Sequence, residues 1–217
     1  MKPVLFCVLG AVTAAHITSL FFRRRWSTAL RALTKACLVP LILAVYASGA
    51  ERMFLPAAAA LVFGWLGDIM LLKTGIRFFT LGLVMFLLGH LSYAFTMFYF
   101  ARPLHAAALA ASVPAAFVLG LLVHRIIRPG ENMKFPSLAY EAAILLMGLG
   151  AFQLFLDRPA APGALVLGGA VSFMVSDTLL AYFAFHRRPR YGNVPVMITY
   201  IAAQLCIALG LSGIAPP

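Results

Sequence analysis

Charge is scarce in this chain and negative charge scarcer still: 11% of its 217 residues are charged, with six Asp and Glu against seventeen Lys and Arg. An ordinary soluble domain carries about 25% charged residues, so a soluble globule is excluded. Cysteine is nearly absent. Cys7, Cys37 and Cys206 lie in apolar stretches and form no CxxC pair, which rules out a disulfide framework or a zinc knot and leaves small buried hydrophobes. The chain also lacks any polar linker long enough to separate domains, so residues 1–217 read as one integral membrane domain. Period-2 alternation is missing as well, and with it the signature of a spanning barrel.

What is present is apolar sequence in long blocks: 63% of the residues are hydrophobic. Eight blocks stand out, at Pro3–Phe22, Ala29–Ser48, Phe54–Leu72, Phe78–Phe100, Leu104–Ile127, Leu138–Leu156, Pro162–Phe185 and Val194–Gly213. Each is near the ~20 residues needed to cross a bilayer as a helix, where only helices and closed barrels satisfy their own backbone. The expected fold is all-α, a polytopic transmembrane bundle of about eight spans. Lys2 before the first block imitates a signal peptide, but Arg23-Arg24-Arg25 follows it. A signal peptide has the opposite polarity, so the first span is expected to be retained.

Basic residues set the orientation. One set of connections holds Arg23, Arg24, Arg25, Arg31, Lys73, Arg77, Arg125, Arg128, Lys134, Arg187, Arg188 and Arg190, twelve in all, against four (Lys2, Arg52, Arg102, Arg158) on the other side. The positive-inside rule then puts both termini outside and the 1–2, 3–4, 5–6 and 7–8 connections in the cytoplasm. The net charge of +11 is thereby read as topology and attraction to anionic lipid, and no nucleic-acid partner is expected.

Ionisable residues inside the spans are few: Lys35, Asp68, His90, Glu141 and Asp177, with His16 a sixth candidate. Each costs about 2.5–3.5 kcal/mol or more at a lipid-facing helix centre, so they must face one another or water. At 1.5 Å per residue, Asp68 lies about 6 Å from the cytoplasmic end of its span, Lys35 and Tyr200 about 9 Å, Asp177 about 12 Å, Gln204 about 15 Å and His90 about 18 Å. These depths describe a polar pocket in the inner half of the membrane. Phe86, His90 and Tyr93 share one helix face, as do Tyr200 and Gln204. Gly64 and Gly67 before Asp68, and Gly168, Ser172 and Ser176 before Asp177, are small residues that let helices approach closely. Lys35 and Glu141 are near enough to the interface to be snorkelling or structurally paired. A helix-to-helix hydrogen bond is the lesser alternative for His90, and His16 reads as a tolerated polar residue. The aspartates are the hardest to dismiss, because Asp cannot snorkel far. Gly67-Asp68-Ile69-Met70-Leu71 also echoes Ser176-Asp177-Thr178-Leu179-Leu180 four spans later, as a parallel four-plus-four duplication would.

Thr34-Lys35-Ala36-Cys37-Leu38-Val39-Pro40-Leu41, Gly67-Asp68-Ile69-Met70-Leu71, Phe86-x3-His90-x2-Tyr93, Ser176-Asp177-x2-Leu180-Ala181 and Tyr200-x3-Gln204 form an ordered set that resembles the YhhN family of membrane proteins, the lysoplasmalogenases. Tyr140 also fits the pattern, while Ala36 stands where the family commonly has proline. The resemblance implies hydrolysis of the vinyl ether bond of lysoplasmalogens to a fatty aldehyde and glycerophospho-ethanolamine or -choline, in a bacterial cytoplasmic (inner) membrane. It implies a lysophospholipid substrate in a lipid setting and no cofactor or metal; the oligomeric state stays open.

Vinyl ether cleavage protonates the β-carbon and lets water capture the resulting oxocarbenium ion. That needs a carboxylic acid still protonated at neutral pH, which burial and a second nearby carboxylate favour, as in a glycosidase pair. One of Asp68 and Asp177 is the expected proton donor, the other the base. His90, Tyr93, Tyr140, Tyr200 and Gln204 are expected to orient water and glycerol oxygens, and Lys35 to meet the phosphate. Two rivals remain. One is a metal-dependent hydrolase using Asp68, His90 and Asp177, without any HxxxH or HExxH spacing; the other is a proton-coupled carrier or flippase.

Overall fold

The computed structural model describes residues 2–22, 25–186 and 189–215; Arg23, Arg24, Arg187 and Arg188, counted in the charge asymmetry, lie outside them. Among the described residues the chain forms eight α-helices and one 3₁₀ turn, with no strand. They are α1 (Lys2–Phe21), α2 (Thr28–Gly49), α3 (Leu55–Met70), α4 (Ile76–Phe100), α5 (Ala106–Ile127), α6 (Lys134–Asp157), α7 (Ala161–Phe185) and α8 (Asn193–Ser212), with the turn at Glu131–Met133. Each falls on an expected span. Seven are long and apolar enough to cross a membrane; α3, at 16 residues, is the short one. The protein is an integral membrane protein.

Local chemistry sets the ends that matter. Ser27 caps α2, its Oγ accepting from the Leu30 amide at 3.1 Å, which starts the helix one turn before the Arg31 and Lys35 face. Pro56 sits in the first turn of α3, where its missing N–H costs nothing. At the other end, the Leu71 and Lys73 amides bond back to Gly67 and Met70 and Gly75 takes φ +114°, a conformation open to glycine without strain. The chain therefore turns sharply into α4, and Asp68 is left within the last turn of α3.

Six helices close into a ring: α2 packs on α3, α3 on α4, α4 on α6, α6 on α7, α7 on α8, and α8 on α2 again. The remaining two are peripheral. α1 lies against α2 and α8, α5 against α6 and α7, and α5 buries only Ile127. One buried apolar cluster runs through the ring, from Leu38, Ile42 and Leu61 to Met97, Met147, Phe173 and Ile207.

Small residues set the tightest contacts. A Cβ on Gly169 would stand 2.7 Å from Ile207 Cγ1 and 2.9 Å from the Ala203 carbonyl, and one on Gly210 would stand 2.6 Å from the Pro162 carbonyl. Ser172 Oγ and Ser176 Oγ donate to the Thr199 and Val196 carbonyls of α8 at 2.8 and 3.0 Å. This bears on one expectation: Gly168 has nothing within 4 Å of its would-be Cβ, and its neighbour Gly169 makes the contact instead. On α3 the expectation is met, since Cβ atoms on Gly64 and Gly67 would strike the Gln204 amide at 2.7 Å and the Phe86 ring at 2.8 Å.

Candidate active site

Two hydrogen-bonded groups face each other inside the ring. In the first, the Lys35 ammonium from α2 meets Asp68 Oδ1 from α3 at 3.0 Å, with both side chains largely buried. Tyr200 of α8 stands beside the same carboxyl. Its hydroxyl accepts from Gln204 Nε2 at 3.4 Å, and Gln204 Oε1 accepts from the Tyr93 hydroxyl at 2.6 Å. A polar chain thus runs from Tyr93 of α4 to Tyr200 of α8 and ends beside the Asp68–Lys35 pair, where Asp68 Oδ2 is buried without a hydrogen-bond partner among the described residues. Tyr93 and Gln204, buried to 1% and 0% exposure, would each leave a costly unpaired group without the other.

In the second group, Asp177 Oδ2 of α7 accepts from two donors: His90 Nε2 of α4 at 2.9 Å and the Tyr140 hydroxyl of α6 in a very short bond. His90 Nε2 and the Tyr140 oxygen are themselves 3.0 Å apart. The imidazole is held edge-on by Phe173, with ring centroids 4.6 Å apart. Phe173 also meets Tyr200 edge-on at 5.5 Å, and Phe86 meets Tyr200 at 6.0 Å, so aromatic edges separate the groups without closing either off.

Both aspartates line one cavity of about 740 Å³ that reaches from Tyr200 and Met197 to Thr28, Lys73, Gly75 and Asn193. It therefore opens at the end of the bundle carrying the 1–2, 3–4 and 7–8 connections. A second, apolar crevice of about 60 Å³ runs between α4, α5, α6 and α7, lined by Phe79, Leu83, Val123, Ile127, Ile144 and Leu180 among others. Asp177 and Phe86 belong to both spaces. The carboxyl of Asp177 thus stands where a polar chamber meets a greasy slot.

All eight expected site residues (Lys35, Asp68, His90, Tyr93, Tyr140, Asp177, Tyr200 and Gln204) fall in these two groups. Lys35, expected either at a phosphate or in a structural pair, is ion-paired with Asp68. Glu141 stays apart; both its oxygens lie 3.1 Å from His124 Nδ1 of α5. His16, read as a tolerated polar residue, lines the cavity and is 2% exposed. Arg31 and Lys73 also line it. They were counted only as loop charges, although Arg31 precedes Lys35 by four residues and so shares its face. Among the described residues no three His, Cys, Asp or Glu side chains are grouped as metal ligands.

These features define a polytopic membrane protein with an ionisable chamber sunk in a ring of helices. The chain belongs to the YhhN family, whose match covers residues 26–211, from just before α2 nearly to the end of α8. No solved structure matches it.

Proposed function

We propose that the protein hydrolyses the vinyl ether bond of lysoplasmalogens, releasing a fatty aldehyde and the glycerophospho headgroup. Membership of the YhhN family agrees with a hydrolase of this kind. The observation that carries the reading is the position of Asp177, at the junction of a polar chamber and an apolar crevice, opposite a second aspartate with a different partner. A single-chain ether lipid has the same division: an apolar chain, then the double bond, then the ether oxygen, glycerol and phosphate.

With the first carbons of the alkenyl chain in the crevice, the β-carbon of the double bond lies on the Asp177 side and the ether oxygen on the Asp68 side. Asp177, which accepts both its hydrogen bonds on Oδ2 and carries its proton on Oδ1, gives that proton to the β-carbon, and the π electrons form the new C–H bond, leaving an oxocarbenium ion. Asp68, held by Lys35, stabilises that cation and takes a proton from the water that adds to the α-carbon. The hemiacetal then collapses. Asp68 returns a proton to the glycerol oxygen as the C–O bond breaks, and the hemiacetal O–H proton goes back to Asp177. Both acids end as they began, and one water is consumed. His90 and Tyr140 aim the Asp177 carboxyl; Tyr200, Gln204 and Tyr93 hold the wall opposite. Since the chamber opens toward the connections richest in arginine and lysine, the substrate enters from the cytoplasmic leaflet.

The test is purified protein incubated with a lysoplasmalogen, following aldehyde release, with an ester lysolipid as control. Aldehyde should appear from the ether lipid alone, and Asp68→Asn and Asp177→Asn should each lower kcat by about 10²-fold or more, the scale of a lost general acid or base. Full turnover in either variant, with the protein folded and inserted, rejects the mechanism. No aldehyde from the unaltered protein rejects the function.

A further inference from the structure

The chamber mouth holds more positive charge than the protein can neutralise. All six acidic residues of the chain can be located. Asp68 pairs with Lys35, Asp177 with His90, Glu141 with His124, Glu131 with Lys134, and Asp157 with Arg158. The sixth, Glu51, lies in the α2–α3 connection, at the far end of α2 from Arg31. No carboxylate side chain is left for Arg31 or Lys73, yet both line the chamber. Arg31 makes one long bond, to Thr28 Oγ1 at 3.3 Å, and its buried Nε has no partner among the described residues. The Lys73 ammonium rests over the Phe78 ring at 4.9 Å.

A buried guanidinium N–H without an acceptor costs about 1–3 kcal/mol or more, and unbalanced cations around a concave opening focus potential on whatever anion enters it. We infer that Arg31 and Lys73 form the binding site for a phosphate group at the mouth of the chamber, and that Lys35 does not. Arg31 sits one helical turn outward of Lys35, about 6 Å along α2, the reach of a glycerol backbone. A phosphate at Arg31 therefore leaves the first glycerol carbon and its ether oxygen near the Asp68–Lys35 pair. Guanidinium suits this place, because its fixed fork matches phosphate oxygens two at a time.

This assignment deepens the proposed function and rests on it for the identity of the ligand, but its test is binding rather than turnover. The full-length protein in detergent is titrated with a saturated-ether lysophosphoethanolamine, which has no bond to cleave, with the matching alkylglycerol lacking phosphate, and with inorganic phosphate. Arg31→Gln should weaken the lysophospholipid about 10- to 100-fold while alkylglycerol affinity stays within about twofold; Arg31→Lys should recover part of the loss, and Lys73→Gln should show a smaller one. Inorganic phosphate that competes with the lysophospholipid in the unaltered protein and not in Arg31→Gln marks a site for the free anion as well; competition equal in both overturns the assignment. Equal loss of the two lipids in Arg31→Gln, or no loss of either, also overturns it. Phosphate-dependent binding without aldehyde release would sink the hydrolase reading and leave this site standing.

Discussion

At the scale of single residues, the two aspartates differ in what neutralises them. Asp68 is compensated by a full cation, Asp177 by two hydrogen-bond donors on one oxygen. Removing one partner of a buried ion pair leaves an uncompensated charge, which costs about 3–5 kcal/mol, whereas replacing both is far milder. Lys35→Met is therefore expected to destabilise the protein by about that much in a reversible unfolding titration, and Lys35→Met combined with Asp68→Asn to recover most of it. A double variant as unstable as the single one would mean that Lys35 stabilises the fold through packing alone. The membership of the site was legible from residue type and depth, because an ionisable group inside a span needs a reason. Its pairing was not. Whether Lys35 meets a substrate or Asp68 depends on which helices touch, and spacing within one helix says nothing about its neighbour.

At the scale of the helix, packing turns on single positions. Each residue advances about 100° around the axis, so Gly168, eight residues before Ser176, lies about 80° away from its face. Gly169, seven before, lies within about 20°. A step-of-four pattern read outward from Asp177 drifts off the α7–α8 contact for this reason, and the structure corrects it by one residue. Gly169→Leu should push α7 from α8 and cost about 1–3 kcal/mol or more, while Gly168→Leu, with open space before it, should be near neutral. Thermal unfolding of the two variants side by side decides this, and equal midpoints would contradict the assignment. The number and order of the helices, by contrast, were readable from the apolar blocks, while their ends were not: α3 stops at Met70, short of Leu72, and α6 begins at Lys134, ahead of Leu138.

At the scale of the whole molecule, the ring has an internal order. Advancing every helix by four turns α2·α3, α3·α4 and α4·α6 into α6·α7, α7·α8 and α8·α2, all of which are present. The same shift carries the Lys35–Asp68 pairing of α2 and α3 onto the Tyr140–Asp177 pairing of α6 and α7. It likewise carries Tyr200 of α8 onto the position His90 holds in α4. The short echo around the two aspartates is thus matched by the contact scheme, apart from the peripheral helices: α1 touches α8, whereas α5 touches α7. Orientation belongs to this scale too. In a cysteine-free background, a cysteine replacing Gly130 should react with impermeant reagents only from the cytoplasmic side, and one replacing Glu51 only from outside; the reverse pattern would invert the assigned topology. A last consequence comes from the brevity of α3. Its 16 residues span about 24 Å, less than the ~30 Å of an average hydrocarbon layer, and Leu55 and Val62 on its outer side are exposed. Lipids along that flank must thin to meet it, which sinks their polar ends toward the depth of Asp68. Under the proposed function the substrate would then arrive already half lowered to the chamber, and turnover in vesicles should decline steadily as the host phospholipids are lengthened.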